Sequence, residues 1–145
     1  METKSTDELS HEIKAATDIE DYLKTNRDNM ITHTLPQHLA LLLSQKGLSR
    51  AQVVRGSLLD RAYVYQIFSG EKNPSRDKLI ALAFGLCLTA AETQRLLKLS
   101  CNRELYARDE RDSLILYALQ QKMTICDTNE LLFRHGHSCL GIPQA

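Results

Sequence analysis

From end to end the apolar residues of this chain recur three and four positions apart, the spacing that lines one side of an α-helix, and the fold this predicts is all-α. Two short helices are expected in the first 34 residues, over 7–16 and 17–25. The second carries Ile19, Tyr22 and Leu23 on one side, and Thr17-Asp18-Ile19-Glu20 has the form of a capping box, a hydroxyl cap answered by an acid three residues on. The next helix runs from Pro36, favoured at the first helical position, to Lys46, with Gly47 as its stop and Leu39, Leu42 and Leu43 as its buried stripe.

Between Leu48 and Gly70 the pattern predicts two further helices around a tight connection. Ser49 is a good N-cap for the first, with Val53 and Val54 facing inward. Asp60 is a good N-cap for the second, with Val64, Ile67 and Phe68 at i, i+3 and i+4. This second helix, over 60–69, hides its apolar side and shows Arg61, Ala62, Tyr65 and Gln66: a forked donor, a small residue, a phenol and an amide. That mixture suits the reading of base edges. A left-handed backbone at Leu58, in the connection, would cost roughly 1–2 kcal/mol, so the first helix is expected to end at Gly56.

Toward the C-terminus the run Leu79–Leu86 predicts a helix, and Thr89–Ser100 another, opened by a Thr89–Glu92 capping box and made apolar by Leu96, Leu97 and Leu99. The segment 111–122 is apolar around most of its circumference, from Leu114 to Leu119, and is expected at the centre of the molecule. An internal echo joins Leu88–Leu97 to Met123–Leu132, 35 positions later, and Leu105 to Leu140. Each copy has a capping threonine, an acid three residues on, and paired leucines. Chance similarity between two well-capped amphipathic helices is the competing reading. Residues 102–140 are expected to form a helical hairpin on helix 89–100.

At 145 residues, 43% hydrophobic and 25% charged, the chain fits one compact domain, or a domain with an appendage, of a soluble globular protein. No apolar run approaches the roughly 20 residues that span a membrane, and the start METKSTDELSHEIK is polar where a signal peptide is apolar. The cytoplasm is the expected setting. Net charge is zero, unusual for a nucleic-acid binder, but its distribution is uneven. Before residue 35, Glu2, Asp7, Glu8, Glu12, Asp18, Glu20, Asp21 and Asp28 outnumber Lys4, Lys14, Lys24 and Arg27. From 46 to 78, Lys46, Arg50, Arg55, Arg61, Lys72, Arg76 and Lys78 outnumber Asp60, Glu71 and Asp77. The positive excess sits where phosphate contacts would need it. The acidic residues 1–34 read as an arm that partly packs on the domain or, more sharply, as a DNA mimic covering its basic face.

On these residues, 35–86 resemble the lambda-repressor and Cro-like helix-turn-helix domains called the XRE family. The resemblance rests on Leu48-Ser49, Val53-Val54, Val64, Gly70, Lys72, Asn73-Pro74-Ser75 and the Leu79–Leu86 run, in register. Members of the family often place an interior ion pair where this chain has Leu43 and Phe68. Both partners being apolar together fits, since one alone would leave a buried charge unpaired. The resemblance implies a lambda-repressor-like five-helix DNA-binding domain over 35–101, with an acidic arm over 1–34 and a helical extension over 102–145. It further implies a homodimer that inserts helix 60–69 in the major groove of double-stranded DNA. Arg61, Ala62 and Gln66 fall on its base-facing positions, and Arg50, Ser69, Lys72 and Asn73 on its phosphate-facing ones. Tyr65 is able to reach phosphate, pack on the domain or meet a partner, and Tyr63 shares those options.

Other chemistry has little support. There is no glycine-rich phosphate loop, nucleophile elbow or HExxH, so no enzyme, catalytic residue or cofactor is expected. Cys87, Cys101, Cys126 and Cys139 lie 14, 25 and 13 apart, which are not zinc-finger spacings. His135, His137 and Cys139, joined by Cys126, make the one metal-like cluster. The plainer reading has Cys87 and Cys126 as small core residues and the histidines at a solvated helix end stopped by Gly136. The expected function is sequence-specific double-stranded DNA binding by a transcriptional regulator, cytoplasmic and associated with the bacterial nucleoid when bound. The alternative is a protein-interaction adaptor that keeps the fold with weak or no DNA binding. The extension over 102–145 is the candidate surface for a dimer or a protein partner.

Overall fold

The computed structural model describes residues 4–26 and 34–141, which among them form nine α-helices and no strand. The chain divides into two compact units, 1–32 and 33–145.

The first unit is a hairpin of α1 (Thr6–Ala15) and α2 (Ile19–Thr25). Ser5 and Glu8 cap α1 reciprocally. The cap of α2 is Asp18, whose carboxylate accepts from the Glu20 N–H at 3.0 Å, and not the expected Thr17. Aspartate is the stronger cap, and its charge also suits the positive end of a helix. Fully buried Asn26 closes the hairpin, donating to Glu12 at 2.7 Å and to the Tyr22 carbonyl at 3.1 Å while accepting from Lys4 at 2.8 Å. The hydrogen bond from Lys4, and then that from Asn26, hold the Glu12 carboxyl below its ordinary pKa. Of the expected apolar stripe only Tyr22 is buried; Ile19 and Leu23 are exposed.

The second unit holds α3 (Leu35–Lys46), α4 (Arg50–Ser57), α5 (Arg61–Ser69), α6 (Arg76–Gly85), α7 (Ala90–Leu99), α8 (Glu110–Gln120) and α9 (Ile125–Arg134). Its central helix is α6, in which every residue from Leu79 to Gly85 is buried. The expectation that 111–122 is central fails. Ala81, Ala83 and Gly85 keep α6 thin enough to be packed on all sides, whereas α8 turns Tyr117 to solvent and only partly buries Leu114 and Leu116. Each leucine or isoleucine buried on α6 contributes roughly 1.5–3 kcal/mol.

Gly56 does not end α4, which continues through Ser57. It lies where α4 crosses α6: a Cβ on Gly56 would stand 3.0 Å from the Gly85 Cα, and one on Gly85 would stand 2.6 Å from the Val53 carbonyl oxygen. The two glycines let the backbones touch. The chain then turns at Leu58, which takes the left-handed conformation at φ 57° and packs partly into the core.

The internal echo is structural, and it starts earlier than Leu88. Arg76-Asp77-x-Leu79-Ile80-x-x-Ala83 recurs as Arg111-Asp112-x-Leu114-Ile115-x-x-Ala118, so α6–α7 and α8–α9 are two copies of one helical hairpin. Buried Thr93 and Thr128 each donate back to their capping threonine's carbonyl at 2.8 Å. The Gln94 amide pairs with both backbone groups of Leu105, at 2.8 and 2.7 Å, as the Asn129 amide does with Leu140, at 2.9 and 2.7 Å. The copies also tie to each other reciprocally: Arg76 binds Asp112 at 2.8 Å and Arg111 binds Asp77 at 2.9 Å. Each arginine also donates to a carbonyl of its own copy, Arg103 for Arg76 and Ser138 for Arg111. Under exchange of the copies the contacts map onto themselves, with α6 against α9 and α7 against α8.

Candidate nucleic-acid interface

The candidate surface is built by α4, its turn and α5. Ser49 and Gln52 form a reciprocal capping box at the start of α4, at 3.2 and 2.7 Å. At its end buried Ser57 accepts from the Leu59 N–H at 3.3 Å and donates to the Val54 carbonyl at 3.3 Å, so its hydroxyl ties the turn back to α4 without a glycine. Asp60 caps α5 through the Tyr63 N–H at 3.4 Å, and Gly70 ends it at φ 87°. The apolar side of α5 is buried as its spacing predicts, with Val64 and Ile67 fully enclosed and Phe68 nearly so. Leu43, expected beside Phe68, is only partly buried at the edge of the same core.

The opposite side of α5 faces outward. Arg61, Ala62 and Tyr65 are exposed and Gln66 is half-buried. The Gln66 side chain makes no hydrogen bond to any described residue; its backbone carbonyl accepts from the Ser69 hydroxyl at 3.0 Å and the Lys72 N–H at 3.1 Å. Arg50, at the start of α4, lies over the rings of Tyr65 and Phe68, 5.7 Å from each centroid. This cation–π contact fixes the guanidinium beside the outward face of α5 while leaving its N–H groups free to donate. Lys72 and Asn73 are exposed in the loop after α5. Ser69 differs from the other expected phosphate contacts, because its single hydroxyl hydrogen is already given to the Gln66 carbonyl.

Ion pairing trims the positive excess of residues 46–78, from seven bases against three acids to five against two. Lys46 pairs with Glu92 at 2.8 Å, and Arg76 is committed to Asp112. On the acidic side, Asp77 is taken by Arg111. Arg50, Arg55, Arg61, Lys72 and Lys78 make no ion pair with any described residue; Lys78 instead lies 5.6 Å from the Tyr63 ring centroid. Burial pulls the Glu92 carboxyl up, but hydrogen bonds from Lys46 and from the Thr89 cap outweigh it and leave the pKa lowered.

The Arg76–Asp112 tie is the feature that the reading of charge alone misses, since Arg76 counts there only as one of the bases in the positive stretch 46–78. Asp112 is buried and also accepts from the Tyr106 N–H at 3.0 Å. The signal was available in the repeated Arg-Asp at 76–77 and 111–112. The cysteines also differ from expectation: Cys87 and Cys126 are exposed rather than in the core. Cys87 occupies a left-handed position at φ 56° just after α6. Among the described residues no three histidine, cysteine or acidic side chains converge as metal ligands. His137 binds Glu110 at 3.0 Å, with His135 3.8 Å from the same oxygen, and the Cys139 thiol faces the Asn129 carbonyl.

Among the described residues no helix is long and apolar enough to cross a membrane. No family model, curated protein or solved structure matches the chain.

Proposed function

We propose that this protein binds double-stranded DNA sequence-specifically as a transcriptional regulator, through a lambda-repressor-like arrangement in which α5 enters the major groove. The observation that carries this reading is the outward face of α5. Arg61, Ala62 and Gln66 make no side-chain hydrogen bond or ion pair with any described residue, on a helix whose other side is locked into the core; Arg50 stands beside them over Tyr65, and Arg55, Lys72 and Lys78 are likewise outside any ion pair among the described residues. Arg61 offers a fork to guanine O6 and N7, Gln66 a two-way pair to adenine N6 and N7, and Ala62 a methyl to thymine. Arg50, Tyr65, Lys72 and Asn73 are the phosphate contacts of this reading. Ser69 joins them only when its hydroxyl leaves the Gln66 carbonyl, because a phosphodiester has no hydrogen to donate to it. A homodimer with reading helices about 34–36 Å apart would place half-sites one turn of DNA from each other. The setting this entails is cytoplasmic, on the bacterial nucleoid.

A second reading, an adaptor with weak or no DNA binding, draws on the withdrawal of Lys46 and Arg76 into ion pairs and on the exposed Tyr106, Tyr117 and Phe133 of the C-terminal extension. A gel shift on the DNA upstream of its own gene separates the two. A complex that resists unrelated competitor DNA supports the first, and none at low salt supports the adaptor.

A further inference from the structure

The last described segment, 137–141, lies against the turn that aims α5. A Cβ at Gly141 would collide with the Ser57 carbonyl oxygen and stand 3.2 Å from the Leu58 Cβ, and Gly141 itself is left-handed at φ 72°. Only glycine seats there. The segment is fastened at three points: the Asn129 amide holds both backbone groups of buried Leu140, Arg111 donates to the Ser138 carbonyl at 3.2 Å, and His137 binds Glu110. On its other side lies the left-handed Leu58, followed by Leu59, whose buried N–H binds Ser57, and by the cap of α5. In the first hairpin the residue equivalent to Gly141 is Tyr106, which is exposed. Seating on the turn is therefore particular to the second copy.

We propose that the second hairpin is a positioning device for base reading: segment 137–141, held by Asn129, sets the Leu58 turn and so the direction in which α5 presents Arg61, Ala62 and Gln66. This rests on the DNA-binding reading, but half of its test does not. In the full chain, Gly141→Ala and Asn129→Ala are each compared with the parent by amide hydrogen exchange and by affinity for a selected duplex against a random one. Exchange at Leu59 and in the first turn of α5 is expected to quicken at least tenfold while α6 is unchanged. The specific-to-random affinity ratio is expected to fall at least tenfold, with random binding within about twofold of the parent. Asn129→Gln, which keeps the amide that Gln94 uses in the first hairpin, should retain more of both readouts than Asn129→Ala. Unchanged exchange at the turn, exchange quickened evenly over the whole unit, or an unchanged affinity ratio overturns the proposal. If the parent itself selects no sequence, the base-reading function fails, and exchange at the turn alone decides whether the segment holds it.

Discussion

The hairpins α6–α7 and α8–α9 share the threonine caps of their second helices, their buried threonines, their amide clamps and their reciprocal arginine–aspartate ties, yet α6 is enclosed from Leu79 to Gly85 while its counterpart α8 has a side open to solvent. The difference lies at a few equivalent positions. Ala81, Leu82 and Gly85 of α6 are replaced in α8 by Leu116, Tyr117 and Gln120. Gly85 lets α4 approach backbone to backbone; a glutamine at the equivalent place cannot, and Tyr117 and Gln120 face solvent. One hairpin skeleton thus serves in two ways, as the support of the α4–α5 unit and as a brace whose tail reaches the turn between them.

The largest expected break in the symmetry is at the two aspartates. Asp112 is almost wholly buried, so Asp112→Ala should strand Arg76 and the Tyr106 N–H and cost about 3–5 kcal/mol in denaturant unfolding. Asp77 is half-exposed, and Asp77→Ala should cost about 1 kcal/mol or less. Equal losses would mean that burial does not distinguish the copies. Next in size is the helix crossing. Gly85→Ala should lower stability by about 1–3 kcal/mol, because its Cβ meets rigid backbone at Val53, while Gln120→Ala should change the melting free energy by less than about 0.5 kcal/mol.

The smallest effect concerns pH. Glu92 of the first hairpin is engaged by Lys46, and its equivalent Asp127 has no such partner among the described residues. The folded pKa of Glu92 lies below the ordinary glutamate value, so its contribution is fully present above that value and is lost as pH falls through the folded one. Unfolding followed from pH 6 downward should therefore show an acid loss that Glu92→Gln reduces and Asp127→Asn leaves in place.

What the sequence made legible was what single residues decide locally. Ser49, Asp60 and Thr89 cap where expected, and Gly47 and Gly70 stop their helices, because capping and a positive φ depend on the residue itself. What it hid depended on a distant neighbour. Gly56 reads as a stop, but the crossing of α6 gives it a packing role, and Leu58 takes the strained turn, at roughly 1–2 kcal/mol, with its side chain packed against the core. Apolar content around 111–122 does not reveal centrality, since a thin helix is enclosed more readily than a bulky one. Arg76 reads as a surface base until the second Arg-Asp pair supplies its partner. For the candidate site, the outward set Arg61, Ala62, Tyr65 and Gln66 followed from helical spacing alone, whereas the stacking of Arg50 and the commitment of the Ser69 hydroxyl needed three dimensions.

Selection of bound fragments from a random pool of double-stranded DNA, run in parallel with the parent and with Gln66→Ala, tests the central claim most directly. The account predicts that the parent enriches a defined site and that Gln66→Ala relaxes the preference at one base pair, a loss of about 1–3 kcal/mol of discrimination there, with nonspecific binding nearly intact. Failure of the parent to enrich any sequence, or full base preference retained by Gln66→Ala, would contradict it.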